Sequence, residues 1–273
     1  MLKAAPDLLL LIPAYNEEQR IEPVLRDYAR FFRQNYAGKF KIVVVLNGCV
    51  DGTLGVVRRA AADFPEISAL DFPAPIGKGG ALIEGLKLAP TTDLIGYVDA
   101  DGATAPVAFL DLVRHCDQAD CVIGSRWLPG SILHQSQSKQ RQVFSRLFHV
   151  FVQFLFRLNI TDTQCGAKVM RREAVEKIHS ALRIADVAFD INLLFSLKRN
   201  GFRILEVPTE WTDKLGSKIK LNKGALGIIL SVVRLRLFYS PFYPWLRPLR
   251  PLEAWIYRKL RAPQPLPGLT SEK

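Results

Sequence analysis

The sequence of 273 residues lacks any uninterrupted run of about 18 apolar residues, so we expect no membrane-spanning helix. It does not begin as a signal peptide does, because one Lys and then Asp7 precede only a short apolar run. The four cysteines form no Cys-x-x-Cys pair, and in a chain of this size we interpret them as reduced thiols in a cytosolic compartment. No internal repeat is evident. Helix-turn-helix, zinc-finger and single-strand-binding signatures are missing too, which argues against nucleic acid as a partner.

Positive charge is concentrated near one end of the chain. Lys214 to Arg261 contains eleven Lys or Arg and one acid, whereas the remainder carries 26 basic and 25 acidic residues. Aromatic and aliphatic side chains interleave with these cations, as suits the headgroup boundary of an anionic membrane. We therefore expect basic, aromatic-rich amphipathic helices on a membrane surface at residues 223–262, and a disordered tail at 263–273. An ordinary solvated surface is the first alternative and nucleic acid the second.

Alternating strand and helix patterns fill the first half of the sequence. Short apolar runs predict strands at Leu8–Pro13, Lys41–Leu46, Ile67–Leu70, Leu94–Val98 and Cys121–Ile123. Helical spacing between them includes Glu17–Gln34, Gly80–Leu88 and Pro106–Cys116. Repeated βα units predict a Rossmann-like α/β domain at residues 1–222, with a mostly parallel sheet and helices on both faces.

The second half has fewer strand signals. We predict helices at Val143–Leu158, Ala188–Arg199, Gly224–Phe238 and Leu252–Leu260, and a strand at Arg203–Pro208. Val143–Leu158 is apolar almost all round, with one narrow polar stripe. This helix could belong to the core or lie at a membrane interface.

Candidate binding residues, most of them polar, follow each predicted strand of the first half. They are Asn16 and Glu17, Asn47 and Asp51, Gly77 and Lys78, Asp99 and Asp101, and Ser125 and Arg126. Ligands of open α/β sheets bind at the carboxyl ends of the strands. These residues are therefore the first candidates for a binding site.

Asp99 and Asp101 are the candidate metal ligands. Two carboxylates one residue apart at a strand end can each place an oxygen beside Mg²⁺ or Mn²⁺, which would bridge to phosphate oxygens. The alternative is a solvated turn or helix cap, because Asp-x-Asp is common.

Two turns are candidates for binding the rest of a nucleotide. Gly77–Ala81 precedes a helix, where backbone N–H groups and Lys78 could meet an anion, although a flexible turn is the simpler interpretation. Asn47–Thr53 could hydrogen-bond a nucleobase or ribose, or Asp51 or Thr53 could simply cap the next helix.

The ordered set of motifs resembles family 2 glycosyltransferases. It comprises Pro13-Ala14-Tyr15-Asn16-Glu17, Asp51-x-Thr53, Gly77-Lys78-Gly79-x-Ala81, Asp99-x-Asp101, Gly124-Ser125-Arg126, Asp162-Thr163-Gln164-Cys165-Gly166-x-Lys168, Phe189-Asp190, Glu206-Val207-Pro208-x-Glu210-Trp211 and Gly216-Ser217-Lys218. Together they are similar to the dolichyl-phosphate β-glucosyltransferase and polyprenyl-phosphate mannosyltransferase branch. The resemblance runs from about Leu8 to Lys220.

The resemblance implies a GT-A fold and inverting, metal-dependent transfer of glucose or mannose from a UDP- or GDP-sugar to a polyprenyl phosphate. By position, Pro13, Tyr15 and Glu17 would line the base and ribose pocket, and Asp99 and Asp101 would hold the metal and diphosphate. Arg126 would meet the acceptor phosphate, helped by Lys139 or Arg141, and Gln164 would border the sugar. The resemblance also implies a role in glycan or cell-envelope synthesis. Eukaryotic members of the family often carry a spanning helix, but this sequence has no such run, so we expect a peripheral location on the cytoplasmic side of a membrane.

Two departures from the family pattern affect specificity. Asn47 stands where the family usually has Asp, which leaves the base preference open, and Asn192 stands where it usually has Glu. A family 2 transferase with another glycan or lipid acceptor, or a non-catalytic membrane-surface binding protein, are the competing hypotheses. The sequence does not indicate an oligomeric state.

Overall fold

The computed structural model describes residues 5–134, 139–186, 188–212 and 221–240. The chain divides into two compact units, Met1–Leu215 and Gly216–Lys273. The first unit is built on a seven-stranded sheet. The strands of this unit are β1 Leu8–Ala14, β2 Phe40–Asn47, β3 Ile67–Phe72, β4 Leu94–Tyr97, β5 Cys121–Ser125, β6 Ile132–Leu133, β7 Lys168–Arg171, β8 Ile204–Pro208 and β9 Glu210–Trp211.

The helices of the first unit alternate with these strands. They are α1 Ile21–Asn35, α2 Thr53–Asp63, α3 Gly77–Leu86, α4 Pro106–Arg114, α5 Lys139–Phe156, α6 Arg172–Ile178 and α7 Phe189–Arg199. In the second unit the structure describes helix α8, Leu221–Phe238, together with the two residues that follow it. No helix in the described part of the chain is both long and apolar enough to cross a membrane.

The large sheet has the strand order β3-β2-β1-β4-β7-β5-β8. All of its neighbours pair in parallel except β7, which is antiparallel to both β4 and β5. Strands β6 and β9 form a separate two-stranded ribbon. The predicted α/β class and mostly parallel sheet are confirmed, and β7 is an insertion that the sequence patterns did not predict.

Helices cover both faces of the sheet, as predicted. Alternate residues of β1, such as Leu10 and Ile12, join the buried cluster formed with α1, α2 and α4. On the other face, Leu11 lies against Gly85 of α3, where an added Cβ would come within 2.8 Å of its Cδ1. Every residue of β1 is buried, which explains why this strand is a continuous apolar run.

The predicted helix at Val143–Leu158 corresponds to α5, and the helix predicted at Gly224–Phe238 corresponds to α8. The amphipathic, membrane-facing role of residues 223–262 stays a prediction. The helix predicted at Leu252–Leu260 and the tail at 263–273 lie outside the described residues.

Candidate active site

Strand polarity brings the polar loops to one edge of the sheet. Strands β1, β2, β4 and β5 leave the sheet at this edge, whereas antiparallel β7 enters it there. Lys168, the first residue of β7, is in register with Tyr97 at the end of β4. The segment that precedes β7 therefore arrives beside the Asp99–Asp101 turn, which follows β4.

Asp99 and Lys78 form the centre of this edge. The Nζ atom of Lys78 lies 2.5 Å from Oδ1 of Asp99, and both side chains are partly exposed. Burial opposes the charged ammonium, but the carboxylates of Asp99 and Asp190 outweigh it and raise the pKa of Lys78. A cation therefore already stands at the carboxylate that we expected to bind a metal.

Asp101 lies on the same turn, in a different environment. Its Oδ1 accepts a hydrogen bond from the backbone N–H of Ala103, at 2.9 Å. Burial raises the pKa of Asp101, and repulsion from Asp99 acts in the same direction. A second cation near this pair would relieve both penalties.

Gly166 makes the closest approach to Asp99. A Cβ atom at this position would lie 2.2 Å from Oδ2 and 2.7 Å from Cγ of Asp99. Such distances are shorter than any real contact, so only glycine leaves room for the carboxylate. The segment before β7 thus forms one wall of the Asp99 site.

A buried ionic network lies behind this wall. Lys168 is fully buried and donates hydrogen bonds to Oδ1 of Asp190 and to the carbonyl oxygen of Cys165, each at 2.6 Å. The hydroxyl of Tyr97 also donates to Oδ1 of Asp190, at 2.5 Å. Burial alone would favour the neutral acid, but the charges of Lys168 and Lys78 hold the pKa of Asp190 below its usual range. This network fixes the segment that carries Gly166.

Four backbone amides at the start of α3, those of Ile76, Gly77, Gly79 and Gly80, are already bonded inside the protein. Oδ1 of Asn47 accepts from the amides of Ile76 (2.6 Å) and Gly77 (2.9 Å). The carbonyl oxygen of Ala185 accepts from the next two glycine amides, those of residues 79 and 80, at 2.9 and 3.3 Å. The hypothesis that the Gly77–Ala81 amides bind an anion is therefore wrong for Gly77, Gly79 and Gly80. The Lys78 side chain remains a candidate for contact with an anion.

Asn47 is buried with this hydrogen bonding complete at its carbonyl oxygen. We had considered that the same oxygen could accept from a nucleobase. Its two backbone donors show instead that Asn47 shapes the turn before α3. An Asp at this position could accept the same two bonds, so the departure from the family pattern preserves the turn.

The loops after β1 and β2 are joined by short polar contacts. Oγ1 of Thr53 accepts from the backbone N–H of Glu17 at 2.9 Å, and Oδ1 of Asp51 accepts from both the amide and the hydroxyl of Thr53. These contacts lower the pKa of Asp51 against the effect of its partial burial. The N-cap of α2 is Gly52, and no side chain caps it, so Asp51 holds the turn just before the helix through Thr53.

The other residues expected at the base and ribose pocket differ in how far their side chains are exposed to solvent. Pro13 is buried within β1, so its side chain does not reach solvent, whereas Tyr15 is half-buried. Both carboxylate oxygens of Glu17 pair with the guanidinium of Arg20, at 2.8 and 2.9 Å. Asn16, with a positive φ of 52°, turns the chain between them and accepts from the amide of Val50.

Arg126 forms a forked pair with Asp162. Its Nε and Nη2 donate to the two carboxylate oxygens at 2.7 and 2.9 Å, and its backbone N–H donates to Oδ2 at 3.0 Å. Asp162 is buried, and Arg126 lowers the pKa of its carboxyl group despite that burial. The guanidinium also stacks 5.1 Å from the ring of Trp211. Nη1 donates no hydrogen bond to any residue that the structure describes, so one face of the fork can still meet a ligand.

Three further site predictions have distinct outcomes. Ser125 is fully buried, with its Oγ 3.0 Å from Oγ1 of Thr161, so it supports the loop and does not face a ligand. Nε2 of Gln164 is buried without a hydrogen-bond partner among the described residues, and its contact with the sugar stays a prediction. Arg141 lies on α5, but its side chain is outside the described part.

Sequence patterns alone missed the supporting residues of the site. Asp162, Lys168 and Asp190 had been noted only as parts of family motifs, and Tyr97 had not been noted. A buried charge at the end of an apolar run, as in Lys168, is the signal that could have indicated this network. Within residues 5–134, 139–186, 188–212 and 221–240, no group of three or more His, Cys, Asp or Glu is arranged to hold a metal.

A model of glycosyl transferase family 2 matches residues 10–179, so the chain belongs to this family and is a glycosyltransferase. A dolichyl-phosphate beta-glucosyltransferase of Dictyostelium discoideum is 32% identical over 244 residues, which cover 85% of this chain and 74% of the relative. The human dolichyl-phosphate beta-glucosyltransferase is 31% identical, covering 78% of this chain and 69% of its own. Both the predicted family and its dolichyl-phosphate branch are confirmed.

Other similarities bear on length and fold. The glycosyltransferase AglD of Haloferax volcanii is 30% identical over 85% of this chain, but the matched part is only 37% of its own length. The crystal structure of glucosyl-3-phosphoglycerate synthase from M. tuberculosis superimposes with a TM-score of 0.62 at 18% identity, covering 85% of this chain and 81% of that one. This likeness confirms the GT-A type of α/β fold.

Proposed function

We propose that this glycosyltransferase moves one hexose, glucose or mannose, from a UDP- or GDP-sugar to a polyprenyl phosphate, with inversion at the anomeric carbon. The names of the Dictyostelium and human relatives support the lipid-phosphate acceptor. The observation that carries the proposal is the Lys78–Asp99 pair at the carboxyl edge of the sheet, with Asp101 on the same turn.

The residues of this edge fit a divalent cation of the Mg²⁺ or Mn²⁺ type. The Lys78 ammonium already occupies a cation position at Asp99, and Asp101 supplies a second hard oxygen donor on the same turn. Two carboxylates are enough, because Mg²⁺ commonly takes its remaining ligands from water and substrate phosphates. Solved glucosyl-3-phosphoglycerate synthase complexes contain Mn²⁺ or Mg²⁺ together with UDP, which supports the same arrangement here.

When bound, the cation would stabilise the negative charge that develops on the departing nucleotide diphosphate. Lys78 adds a second positive charge to the same region, and Asp99 holds its ammonium in place. Nε2 of Gln164 donates to a hydroxyl of the sugar, which satisfies its unpartnered N–H groups. These contacts fix the donor before transfer.

The acceptor phosphate needs orientation more than activation. A phosphate monoester is largely ionised near neutral pH, so its oxygen can attack without a strong general base. Asp162 holds Arg126 in one orientation, and Nη1, which bonds no described residue, donates to the phosphate. Because the pair with Asp162 offsets part of the charge, Arg126 acts mainly by directing the nucleophile toward C1 of the sugar.

The decisive experiment offers the full chain a panel of UDP- and GDP-hexoses with a polyprenyl phosphate and Mn²⁺, and detects products by mass spectrometry. We expect one donor to yield a lipid phosphate heavier by one hexosyl unit. The variant Asp99→Asn/Asp101→Asn should lose this product, whereas Asp111→Asn, an exposed carboxylate on α4, should retain it. Failure of every donor, or full turnover by the double variant, would refute the proposal.

The product assay and two binding measurements separate the competing hypotheses. Transfer to 3-phosphoglycerate or a glycan in place of the lipid would identify another acceptor class. Thermal stabilisation by UDP or GDP that requires Mn²⁺ would support a catalytic donor site, and no response to either nucleotide would favour a non-catalytic binding protein. The membrane roles of residues 223–262 and the peripheral, cytoplasmic-side location belong to this proposal and are tested by salt-sensitive vesicle binding.

A further inference from the structure

Residues 161–168, which we call the linking segment, run between the two sides of the candidate active site. At its far end, Lys168 is anchored by Asp190 behind the metal side. At its near end, Asp162 holds Arg126 on the side that we assign to the acceptor. The position of Arg126 therefore depends on what holds the near end of the linking segment.

The near end is held by Glu206, a partly buried residue of β8. One carboxylate oxygen, Oε2, accepts a hydrogen bond from the backbone N–H of Thr161 at 2.8 Å. The other, Oε1, accepts from the hydroxyl of Thr161 at 2.5 Å and from the backbone N–H of Asp162 at 3.0 Å. Three donors on two consecutive residues of the linking segment thus converge on one carboxylate.

The hydroxyl contacts near Glu206 have a defined direction. An ionised carboxylate only accepts hydrogen bonds, so the hydroxyl of Thr161 donates its single proton to Glu206. The Oγ atom of Ser125 lies 3.0 Å from the same hydroxyl oxygen, so the Ser125 hydroxyl is the donor of that contact. Because Ser125 directly precedes Arg126, Glu206 reaches the strand end that carries Arg126 through one intermediate side chain.

A second route from Glu206 to Arg126 runs through Asp162. Glu206 fixes the backbone N–H of Asp162, and the carboxylate of Asp162 accepts three hydrogen bonds from Arg126. The side chains of this pair are only 15% and 2% exposed, so the guanidinium has little room to adjust independently. A shift of the near end of the linking segment therefore moves the guanidinium with it.

The contacts of Glu206 add position more than stability. Thr161 is exposed, so water could satisfy its N–H and its hydroxyl if the carboxylate were absent. Exchanging a bond to water for a bond to protein changes the free energy of folding little. What the carboxylate supplies and water does not is a fixed location for the near end of the linking segment.

We propose that Glu206 is a positioning residue of the acceptor side, which sets the orientation of Arg126 through Thr161 and Asp162. This inference rests on the proposed function for the ligand of Arg126, and it assigns no contact with substrate to Glu206. A substitution of Glu206 should therefore weaken the use of the acceptor phosphate and leave donor binding as it is.

The first test measures hexosyl transfer by the full chain and by Glu206→Gln, with farnesyl phosphate as a water-soluble acceptor. Glutamine keeps the size of the side chain but places an NH₂ donor where one accepting oxygen faces the linking segment. KM for farnesyl phosphate should rise about tenfold, which corresponds to about one lost hydrogen bond. KM for the nucleotide sugar should stay within about twofold, because the contacts of the donor side are independent of this change.

The matched control is Glu66→Gln. Glu66 is also partly buried and accepts two hydrogen bonds, from Arg33, but it lies just before β3 at the opposite edge of the sheet. Both KM values should equal those of the unsubstituted chain.

Thr161 offers a pair of variants that leaves the carboxylate in place. Thr161→Ser keeps the hydroxyl that donates to Glu206, and Thr161→Val removes it while preserving the branched shape. KM for farnesyl phosphate should therefore be higher in the valine variant than in the serine variant. Because Thr161 is exposed, both variants should fold, and this pair decides the proposal if Glu206→Gln proves unstable.

A spectroscopic signature separates positioning from general loosening. In ¹⁵N-labelled protein, the Nε–H of Arg126 should give a slowly exchanging resonance, because it donates to Asp162 at 2.7 Å in a largely buried pair. Arg126→Gln removes this resonance and so identifies it. In Glu206→Gln the resonance should shift and exchange faster, while the melting temperature falls no more than in Glu66→Gln.

A double substitution tests whether Glu206 acts through Arg126. In the Arg126→Gln background, adding Glu206→Gln should raise KM for farnesyl phosphate no further, because the group that Glu206 positions is already gone. Additive increases in KM would show that Glu206 acts in another way and would overturn the proposal.

Two other results would also overturn it. One is an unaltered KM for farnesyl phosphate in both Glu206→Gln and Thr161→Val. The other is a loss of Mn²⁺-dependent nucleotide affinity as large as the loss on the acceptor side. The proposed function fails separately: if the unsubstituted chain transfers sugar to no prenyl phosphate, the acceptor is refuted, and the response of the Arg126 resonance to Glu206→Gln still decides whether Glu206 positions the guanidinium.

Discussion

Substituting Gly166 with Ala should disable the site by moving Asp99. The added Cβ would lie 2.2 Å from Oδ2 of Asp99, whereas ordinary contacts begin near 3.4 Å, so the two groups must separate by about 1 Å. The segment that carries Gly166 is anchored on one side by the buried Lys168, which bonds the Cys165 carbonyl. Asp99, whose side chain is 27% exposed, is the freer partner, and we expect it to yield.

A shift of this size is costly for catalysis and modest for stability. Misplacing a catalytic group by about 1 Å can reduce the rate about 100-fold. Overpacking by one methyl group costs about 1–3 kcal/mol of folding free energy. Gly166→Ala should therefore fold, while kcat/KM for hexosyl transfer drops about 100-fold. In calorimetry, the Mn²⁺-dependent affinity for the nucleotide diphosphate should also be lower.

The matched control is Gly38→Ala, at the opposite edge of the sheet. A Cβ on Gly38 would lie 2.5 Å from the carbonyl oxygen of Pro6, so it imposes a similar clash away from every candidate site residue. We expect a comparable loss of stability with an unchanged rate. If Gly166→Ala kept the unchanged kcat/KM, or if both variants lost the same rate, the close approach of Gly166 would not be what positions Asp99.

Three further predictions test the charges around the site. Lys78→Gln should weaken UDP or GDP binding about 10- to 100-fold in calorimetry. Mn²⁺ binding in the absence of nucleotide should not weaken, because the Lys78 ammonium competes with the metal for Asp99. Weaker Mn²⁺ binding by the variant would contradict this. Asn192→Glu should lower the free energy of unfolding, measured with denaturant, by about 1–3 kcal/mol, since a carboxylate cannot donate to the Ala181 carbonyl as Nδ2 of Asn192 does. The comparison is Asn47→Asp, which we expect to be tolerated. Because the native pKa values of Asp162 and Asp190 are lowered, their stabilisation is present above the unfolded value of about 3.9 and is lost as pH falls through the folded values. The melting temperature should thus fall below about pH 4, less steeply in Asp162→Asn, and an equal slope in both proteins would refute that assignment.

The sequence patterns predicted the sheet and its binding edge because both follow from local features. A strand buried on both faces is a continuous apolar run, and β1 and β2 show this directly. The parallel βα repeat then places every strand end at one edge without further information. For the same reason Asp99, Lys78 and Arg126 were placed correctly at that edge.

Strand β7 could not be predicted in this way. It has only four residues, with Lys168 and Arg171 at its ends, and its place between β4 and β5 is antiparallel. Its partners are set by tertiary pairing, not by any pattern in its own residues. The pair of Arg126 with Asp162 is equally invisible to local reasoning, because 36 residues separate the two side chains.

The two departures from the family pattern, Asn47 and Asn192, act on the same turn. Asn47 accepts from the amides of Ile76 and Gly77, at the start of α3. Asn192 holds the segment that leads to Ala185, through Oδ1 to the amide of Arg183 and through Nδ2 to the carbonyl of Ala181.

The first turn of helix α3, which carries Lys78, is therefore held from both sides. The carbonyl of Ala185 accepts from Gly79 and Gly80, whereas Asn47 binds the residues just before Lys78. Neither asparagine has to touch a substrate to influence one, since both set the position from which Lys78 reaches Asp99. A change of donor preference in this chain would then arise from the placement of the Lys78 turn, and the double substitution Asn47→Asp/Asn192→Glu should affect nucleotide affinity non-additively.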